Sequence, residues 1–165
     1  MSILDDDLNT TDTSEDQYLL FLAGGELYAM EALRAQEIVE YSSVTKVPKM
    51  HSFIKGVTNI RGNIVAVVDL VNRFNLSKTE ISDKTSIVVV NCMQDDKLTQ
   101  IGIMIDEVYE VDTIEKPNLK KAPEFGTKID PKYIRNMGKY NDKYIPILNM
   151  DTILNVEELS TLVSQ

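Results

Sequence analysis

Apolar residues along this chain fall in short runs separated by turn residues, the spacing of strands rather than of long helices. Gln17–Ala23 (QYLLFLA) is apolar and aromatic enough for a strand, Gly24-Gly25 turns the chain, and Leu27-Tyr28-Ala29-Met30 returns it as a hairpin. Residues 31–36 (EALRAQ) read as a short helical turn or a bent strand. Glu37-Ile38-Val39-Glu40-Tyr41 then alternates polar and apolar, as a half-buried strand does, and Pro48 closes the segment. Residues 56–60 and 64–68 predict two further strands joined through Arg61-Gly62-Asn63, with glycine supplying the positive φ of a tight hairpin. Residues 65–68 are apolar at every position, which calls for cover on both faces. Asp69 is placed to cap a short helix over residues 70–74 by accepting backbone N–H bonds at its start.

After a polar linker at residues 77–84, the same order recurs. Residues 85–92 predict a strand, 93–97 a polar turn and 99–105 a second strand. Glu107-Val108-Tyr109-Glu110 matches Glu37-Ile38-Val39-Glu40 in pattern, and Pro117 again ends the segment. Residues 133–137 and 143–148 predict a hairpin over 138–142. Ile145-Pro146-Ile147-Leu148-Asn149-Met150 mirrors Val65-Ala66-Val67-Val68-Asp69-Leu70, with Asn149 in the capping place of Asp69 and Leu154 where Phe74 falls. Residues 17–155 are therefore expected to form one domain of two subdomains, about 17–76 and 85–155, related by a pseudo-repeat. Short strands with frequent turns favour small barrels, and two barrels packed together would cover strands that are apolar on both faces. Residues 156–163 (VEELSTLV) have the apolar spacing of an amphipathic helix packed on the body, followed by a short tail to Gln165.

Length and composition leave this picture intact. A chain of 165 residues buries about 70% of its unfolded surface, so no disulfide or metal staple is required. The one cysteine, Cys92, lies in an apolar run and reads as a small buried hydrophobe. The start of the chain has neither a basic region nor an apolar segment of signal-peptide type, and no apolar run spans a bilayer, so a cytoplasmic location is expected. Residues 1–16 hold six acids and no Lys or Arg, so the rest carries only −3 of the net −9. That acidic, Ser/Thr-rich start reads as a disordered tail. Lys46, Lys49, Lys120 and Lys121 are too sparse for a phosphate-backbone surface, which argues against nucleic acid as a partner.

Candidate chemistry is thin. His51 is the only histidine, which removes metal sites built on several histidines, and no cofactor is implied. A nucleophilic Cys92 paired with His51 is disfavoured because Cys92 ends an apolar strand. No Walker loop, dinucleotide glycine pattern or nucleophile elbow occurs. Asp95-Asp96 sit in a turn, and Asp106-Glu107 are adjacent on a strand and point to opposite faces. Catalysis is not expected, which leaves binding. Arg61 at a hairpin tip offers a planar guanidinium suited to carboxylate or carbonyl recognition, and Glu37 reads either as one more exposed strand charge or as a specificity charge beside an apolar groove.

These residues also carry a resemblance. Phe53-Ile54-Lys55-Gly56-Val57-Thr58-Asn59-Ile60-Arg61-Gly62, followed by Val68-Asp69-Leu70, resembles the signature of the CheW family of chemotaxis coupling (adaptor) proteins. Leu33-x-x-Gln36-Glu37-Ile38, residues 101–108 (IGIMIDEV) and Ile147-Leu148-Asn149 extend the similarity, in order, over about residues 17–155. The resemblance implies a mostly β fold of two five-stranded SH3-like barrels around a shared hydrophobic core, with short helices. It implies no enzyme activity and no cofactor or metal. It implies an adaptor that couples the cytoplasmic tips of methyl-accepting chemoreceptors to the regulatory domain of the histidine autokinase CheA in membrane-associated arrays. Other copies or paralogous coupling proteins are further partners that it suggests, without nucleic acid or direct membrane insertion.

Carried over by position, the receptor and kinase contacts are Ala35, Glu37, Ile38, Arg61, Val108 and Val111, with Gly56, Asn59 and Gly62 shaping the hairpin. Ala35 is smaller than the valine common at its place, and Ile60 replaces a leucine. Two other readings are weaker. A module cut from a longer receiver- or kinase-containing relative is opposed by Met1, by the short tail and by the lack of a receiver-like α/β segment. A small-ligand-binding barrel would need convergent polar groups, and the chain offers few.

Overall fold

The computed structural model describes residues 16–94, 96–124 and 126–155. The expected acidic tail, apart from Asp16, and the expected C-terminal helix lie outside the described residues. The fold is mostly β. Its strands are β1 (Gln17–Ala23), β2 (Glu26–Glu31), β3 (Ala35–Glu40), β4 (Ile54–Ile60), β5 (Asn63–Asp69), β6 (Ser86–Gln94), β7 (Lys97–Ile105), β8 (Glu107–Thr113), β9 (Leu119–Lys120), β10 (Ile134–Tyr140) and β11 (Lys143–Leu148). Helix α1 (Leu70–Arg73) follows β5, and α2 (Met150–Ile153) follows β11. Residues 31–36 resolve into a 3-10 turn, Ala32–Arg34, that leads into β3. The turns expected at 93–97 and 138–142 are tighter, because the ladders continue outward to Gln94↔Lys97 and Tyr140↔Lys143. Polar residues can extend a ladder beyond its apolar part, since the backbone makes the bonds.

Two sheets result, one in the order β8-β1-β2-β11-β10-β9 and the other β3-β6-β7-β5-β4. The first therefore has a sixth strand, the two-residue β9, beyond the five expected. Neither sheet is one half of the sequence. Hairpin β1–β2 takes β8, β10 and β11 from the second half, and hairpin β6–β7 takes β3, β4 and β5 from the first. The joins are the parallel pairs Ile147↔Ala29 and Ala66–Asp69 with Ile101–Met104. Strands from before and after residues 77–84 are thus interlaced in both sheets.

That interlacing explains the strands that are apolar throughout. On β1, Tyr18 and Leu20 enter one cluster with Ala29, Ile114, Ile145 and Ile147. On β6, Ile87 and Val89 enter another with Ile60, Val65, Val67 and Met104. The alternate residues Leu19, Phe21, Val88, Val90 and Cys92 all point into a third, central cluster shared by both sheets. Each of these strands therefore buries both faces.

The caps fall as the sequence indicates. Asp69 Oδ1 accepts from Asn72 N at 3.4 Å, and Asn149 Oδ1 accepts from Thr152 N at 3.2 Å. Asp69 also accepts from Thr79 N at 3.0 Å and Thr79 Oγ1 at 2.6 Å, which pins the linker to the domain. Arg73 is buried, with Nε donating to Ile153 O at 2.8 Å and Nη1 to Tyr133 Oη at 3.0 Å, so it ties α1 to α2.

Candidate interaction surface

The five-stranded sheet closes on itself where the chain beyond β3 meets β4. Thr45 and Val57 exchange backbone bonds, each with an N–H donating at 2.8 Å. Gly56 sits at this crossing with φ +152°, and a Cβ there would lie 2.2 Å from Thr45 O. It lets two backbones approach closely at the base of the hairpin.

The tip itself is a two-residue turn between Ile60 and Asn63, with positive φ at both Arg61 (+52°) and Gly62 (+87°), the geometry of a type I′ hairpin. Asn59 Oδ1 accepts from Gly62 N at 2.9 Å and braces it. The equivalent tip between β10 and β11 uses Asn141-Asp142, short polar residues that tolerate this conformation. Arg61 therefore occupies a place where an arginine is strained, and the positive φ required there extends beyond the glycine expected to supply it.

The guanidinium has a defined partner. Arg61 Nε donates to Glu37 Oε2 at 2.5 Å, across the seam between the hairpin and β3. The Glu37 side chain is 23% exposed and that of Arg61 78% exposed, so the pair is anchored on the glutamate and presents its cation outward. Two residues that the sequence offered as separate candidates are thus one unit.

The apolar candidates share a different feature. Directly paired residues of neighbouring strands lie on one sheet face. Ile38 pairs with Val88, Val108 with Phe21 and Val111 with Leu19, and all three partners belong to the central cluster. Ala35 and Val108 pack against that cluster, while Ile38 is 44% and Val111 55% exposed. Strands β3 and β8 are the edges of the two sheets, so the face that builds the central core runs out to solvent on both. The structure does not place the two edge strands in one sheet. Two exposed apolar residues nearby were not among the candidates: Leu33 (67%) on the 3-10 turn and Ile64 (69%) beside the hairpin tip. Ile64 was legible, because alternation from buried Val65 and Val67 turns it to the outer face.

The groups weighed for chemistry have other occupations. Cys92 is buried, Sγ donates toward Thr99 O at 3.6 Å, and burial pushes its thiol pKa up, with Arg34 lowering and Asp151 raising it to lesser degrees. His51 is half-buried, its ring 4.1 Å from that of Phe53. Asp106 accepts from Gly25 N at 2.9 Å, and Glu107 lies 3.9 Å from Lys84 Nζ. Among the described residues no group of three or more His, Cys, Asp or Glu is placed to hold a metal ion, and no helix is long and apolar enough to cross a membrane.

Comparison with known proteins decides the family. The profile of the CheW-like domain matches residues 17–158. The chain belongs to the CheW-like domain family. Its relatives include the chemotaxis protein CheW of Klebsiella aerogenes, 30% identical over 149 residues that cover 90% of this chain and 87% of that protein. CheW of Bacillus subtilis is 28% identical, covering 90% of this chain and 92% of its own. Among solved structures, the scaffolding protein TtCheW of Thermoanaerobacter tengcongensis superposes with a TM-score of 0.76 at 29% identity, over 84% of this chain and 87% of that one. The CheW-like assignment agrees with the interlaced two-sheet architecture and with the SH3-like barrels that the resemblance implied.

Proposed function

We propose that this CheW-like chain is a non-enzymatic adaptor of chemotaxis arrays, coupling the cytoplasmic tips of methyl-accepting chemoreceptors to the regulatory domain of the histidine kinase CheA. Relatives named as chemotaxis and scaffolding proteins support the coupling role. Two observations support the reading: the Arg61–Glu37 pair held on a strained tip, and the apolar face that reaches solvent on β3 and β8. Helices of a receptor tip or loops of a kinase domain would bury apolar side chains against Ala35, Ile38, Val108 and Val111, in the helix-in-groove manner. Arg61 would supply a directed charge at the rim, which sets register and on-rate more than affinity. The protein would work in the cytoplasm, recruited to the membrane-associated array through its partners. Each contact would be weak alone and strengthened by the multivalency of the array.

The test is co-sedimentation of the purified protein with clustered receptor cytoplasmic fragments and the kinase, with autophosphorylation followed in the same tubes. The kinase is expected to join the receptors only when the protein is present, and less so with Arg61→Ala or Glu37→Ala. A kinase that neither joins the receptors nor changes activity on addition of the protein would refute the adaptor reading.

A further inference from the structure

The seam that carries Arg61 and Glu37 at one end opens at its other end into a cavity of about 270 Å³. Three lysines line it: Lys46 beyond β3, Lys55 on β4 and Lys78 in the linker, together with Ser52, Asn72 and Asp69. None of the three lysines is in an ion pair among the described residues. Asp69 adds one negative charge, but its oxygens accept from Thr79 N, Thr79 Oγ1 and Asn72 N, and the residue is 4% exposed. The lining is therefore net positive in a chain of net charge −9.

Lys55 is placed by a deliberate device. The β4–β5 register steps from Ile54↔Val68 to Gly56↔Val67, leaving Lys55 as the extra residue of a β-bulge, a feature that re-aims side chains. The other barrel has the same bulge at Arg135, between Ile134↔Leu148 and Asn136↔Ile147. There the cation is neutralised by Glu31 of β2. The parallel pairs Ile147↔Ala29 and Val67↔Gly102 superpose the two barrels, and they put buried Met104 where Glu31 stands. The Lys55 bulge thus has no carboxylate at the place of Glu31, and the acid of its lining is Asp69, where the other barrel has Asn149.

We propose that this cavity binds a small dianion of the phosphate monoester class, held by Lys46, Lys55 and Lys78. Ammonium groups are compact point charges that suit a tetrahedral anion approached from several sides. The Ser52 hydroxyl donates to Asn72 Oδ1 at 3.4 Å, which leaves the Asn72 amide N–H groups as neutral donors on the lining. The volume fits a phosphate with a few attached atoms. A bound anion would bridge the chain after β3, β4, α1 and the linker, and so tighten the seam that supports Arg61. The proposal does not rest on the adaptor role.

Isothermal titration and thermal unfolding of the full chain with inorganic phosphate and glycerol phosphate test it, with chloride at matched ionic strength as reference. Saturable heat and a saturable rise in unfolding temperature are expected, because a ligand of the native state stabilises it. Lys55→Gln and Lys78→Gln should each weaken binding by about tenfold, the loss of one charge-assisted hydrogen bond, while Lys139→Gln leaves it unchanged. Sedimentation with phosphatidic acid vesicles, lost in the same variants, would assign the phosphate to a lipid headgroup, whereas saturation by glycerol phosphate assigns it to a soluble metabolite. A response that chloride reproduces, or saturation unaltered in both lysine variants with unchanged urea midpoints, would overturn the site.

Discussion

Replacing Arg61 separates what the fold needs at the hairpin tip from what binding needs. Arg61 has φ +52° at the first position of a type I′ turn, and an L-residue other than Asn, Asp or Gly is disfavoured there by about 1 kcal/mol or more. Its ion pair with Glu37 returns only about 0.2–1 kcal/mol, because the arginine side chain is 78% exposed. Arg61→Ala loses the pair and keeps the strain, so it should destabilise the protein by a few tenths of a kcal/mol up to about 1 kcal/mol. Arg61→Asn loses the same pair but adopts the residue that the β10–β11 tip already uses. It should therefore be more stable than the alanine variant by about 1 kcal/mol, or about 3 °C in Tm for a domain of this size. Urea denaturation of wild type, Glu37→Gln, Arg61→Ala, Arg61→Asn and the two double variants closes a double-mutant cycle for each change, with a coupling of about 0.2–1 kcal/mol expected. Both Arg61 variants should lose partner binding equally, since neither has a guanidinium. Equal stability of the asparagine and alanine variants would refute the strain at the tip, and a zero coupling would refute the ion pair.

Gly56→Ala should cost more than 2 kcal/mol, because its Cβ would meet Thr45 O at 2.2 Å and the neighbouring Thr45 C and Val44 Cγ1 at 2.7 and 2.8 Å; a urea midpoint within error of wild type would show that the seam can open freely. Arg73→Met should cost about 3 kcal/mol, since it leaves Ile153 O and Tyr133 Oη without their donor inside the core; a loss below 1 kcal/mol would place that link outside the cooperative unit. Burial, with a smaller contribution from Glu26, raises the pKa of Tyr28 from 10.0 to about 12. The folded state therefore keeps a proton that the unfolded state gives up. The stabilisation is complete below pH 10 and is lost as pH rises toward about 12, by about 2 to 3 kcal/mol in total. Urea midpoints should fall between pH 9 and about 11.5 in wild type and fall less in Tyr28→Phe; parallel curves would contradict the assignment.

Much of this architecture was legible in the chain. Strand β1 runs over the residues that the apolar pattern marks, and Asp69 and Asn149 cap as their positions suggest. The matching bulges at Lys55 and Arg135 carried no signal in the sequence. The exchange of strands between the halves was not legible, because the parallel joins Ile147↔Ala29 and Val67↔Gly102 connect residues far apart in sequence and depend on no local signal. Similarly, Glu37 and Arg61 each read as an isolated surface charge, and only the closure of the sheet at Thr45 and Val57 brings them together. Lys46, Lys55 and Lys78 are far apart in the chain, and only the seam, the bulge and the pinned linker gather them around one cavity. Arg73, read only as part of the short helix over residues 70–74, is buried because carbonyls of α2 and the Tyr133 hydroxyl accept its donors.

The exposed continuation of the central core on β3 and β8 is the surface on which we propose that the adaptor role depends. The most direct measurement is kinase recruitment to receptor fragments by Ile38→Glu and Val111→Glu, compared with Leu98→Glu, a 69% exposed apolar residue on β7 away from that face. With urea midpoints unchanged, the first two variants should recruit the kinase at least tenfold less well, the effect of burying an uncompensated charge in a contact, and the third should match wild type. Undiminished recruitment by both Ile38→Glu and Val111→Glu would place the partners elsewhere on the molecule.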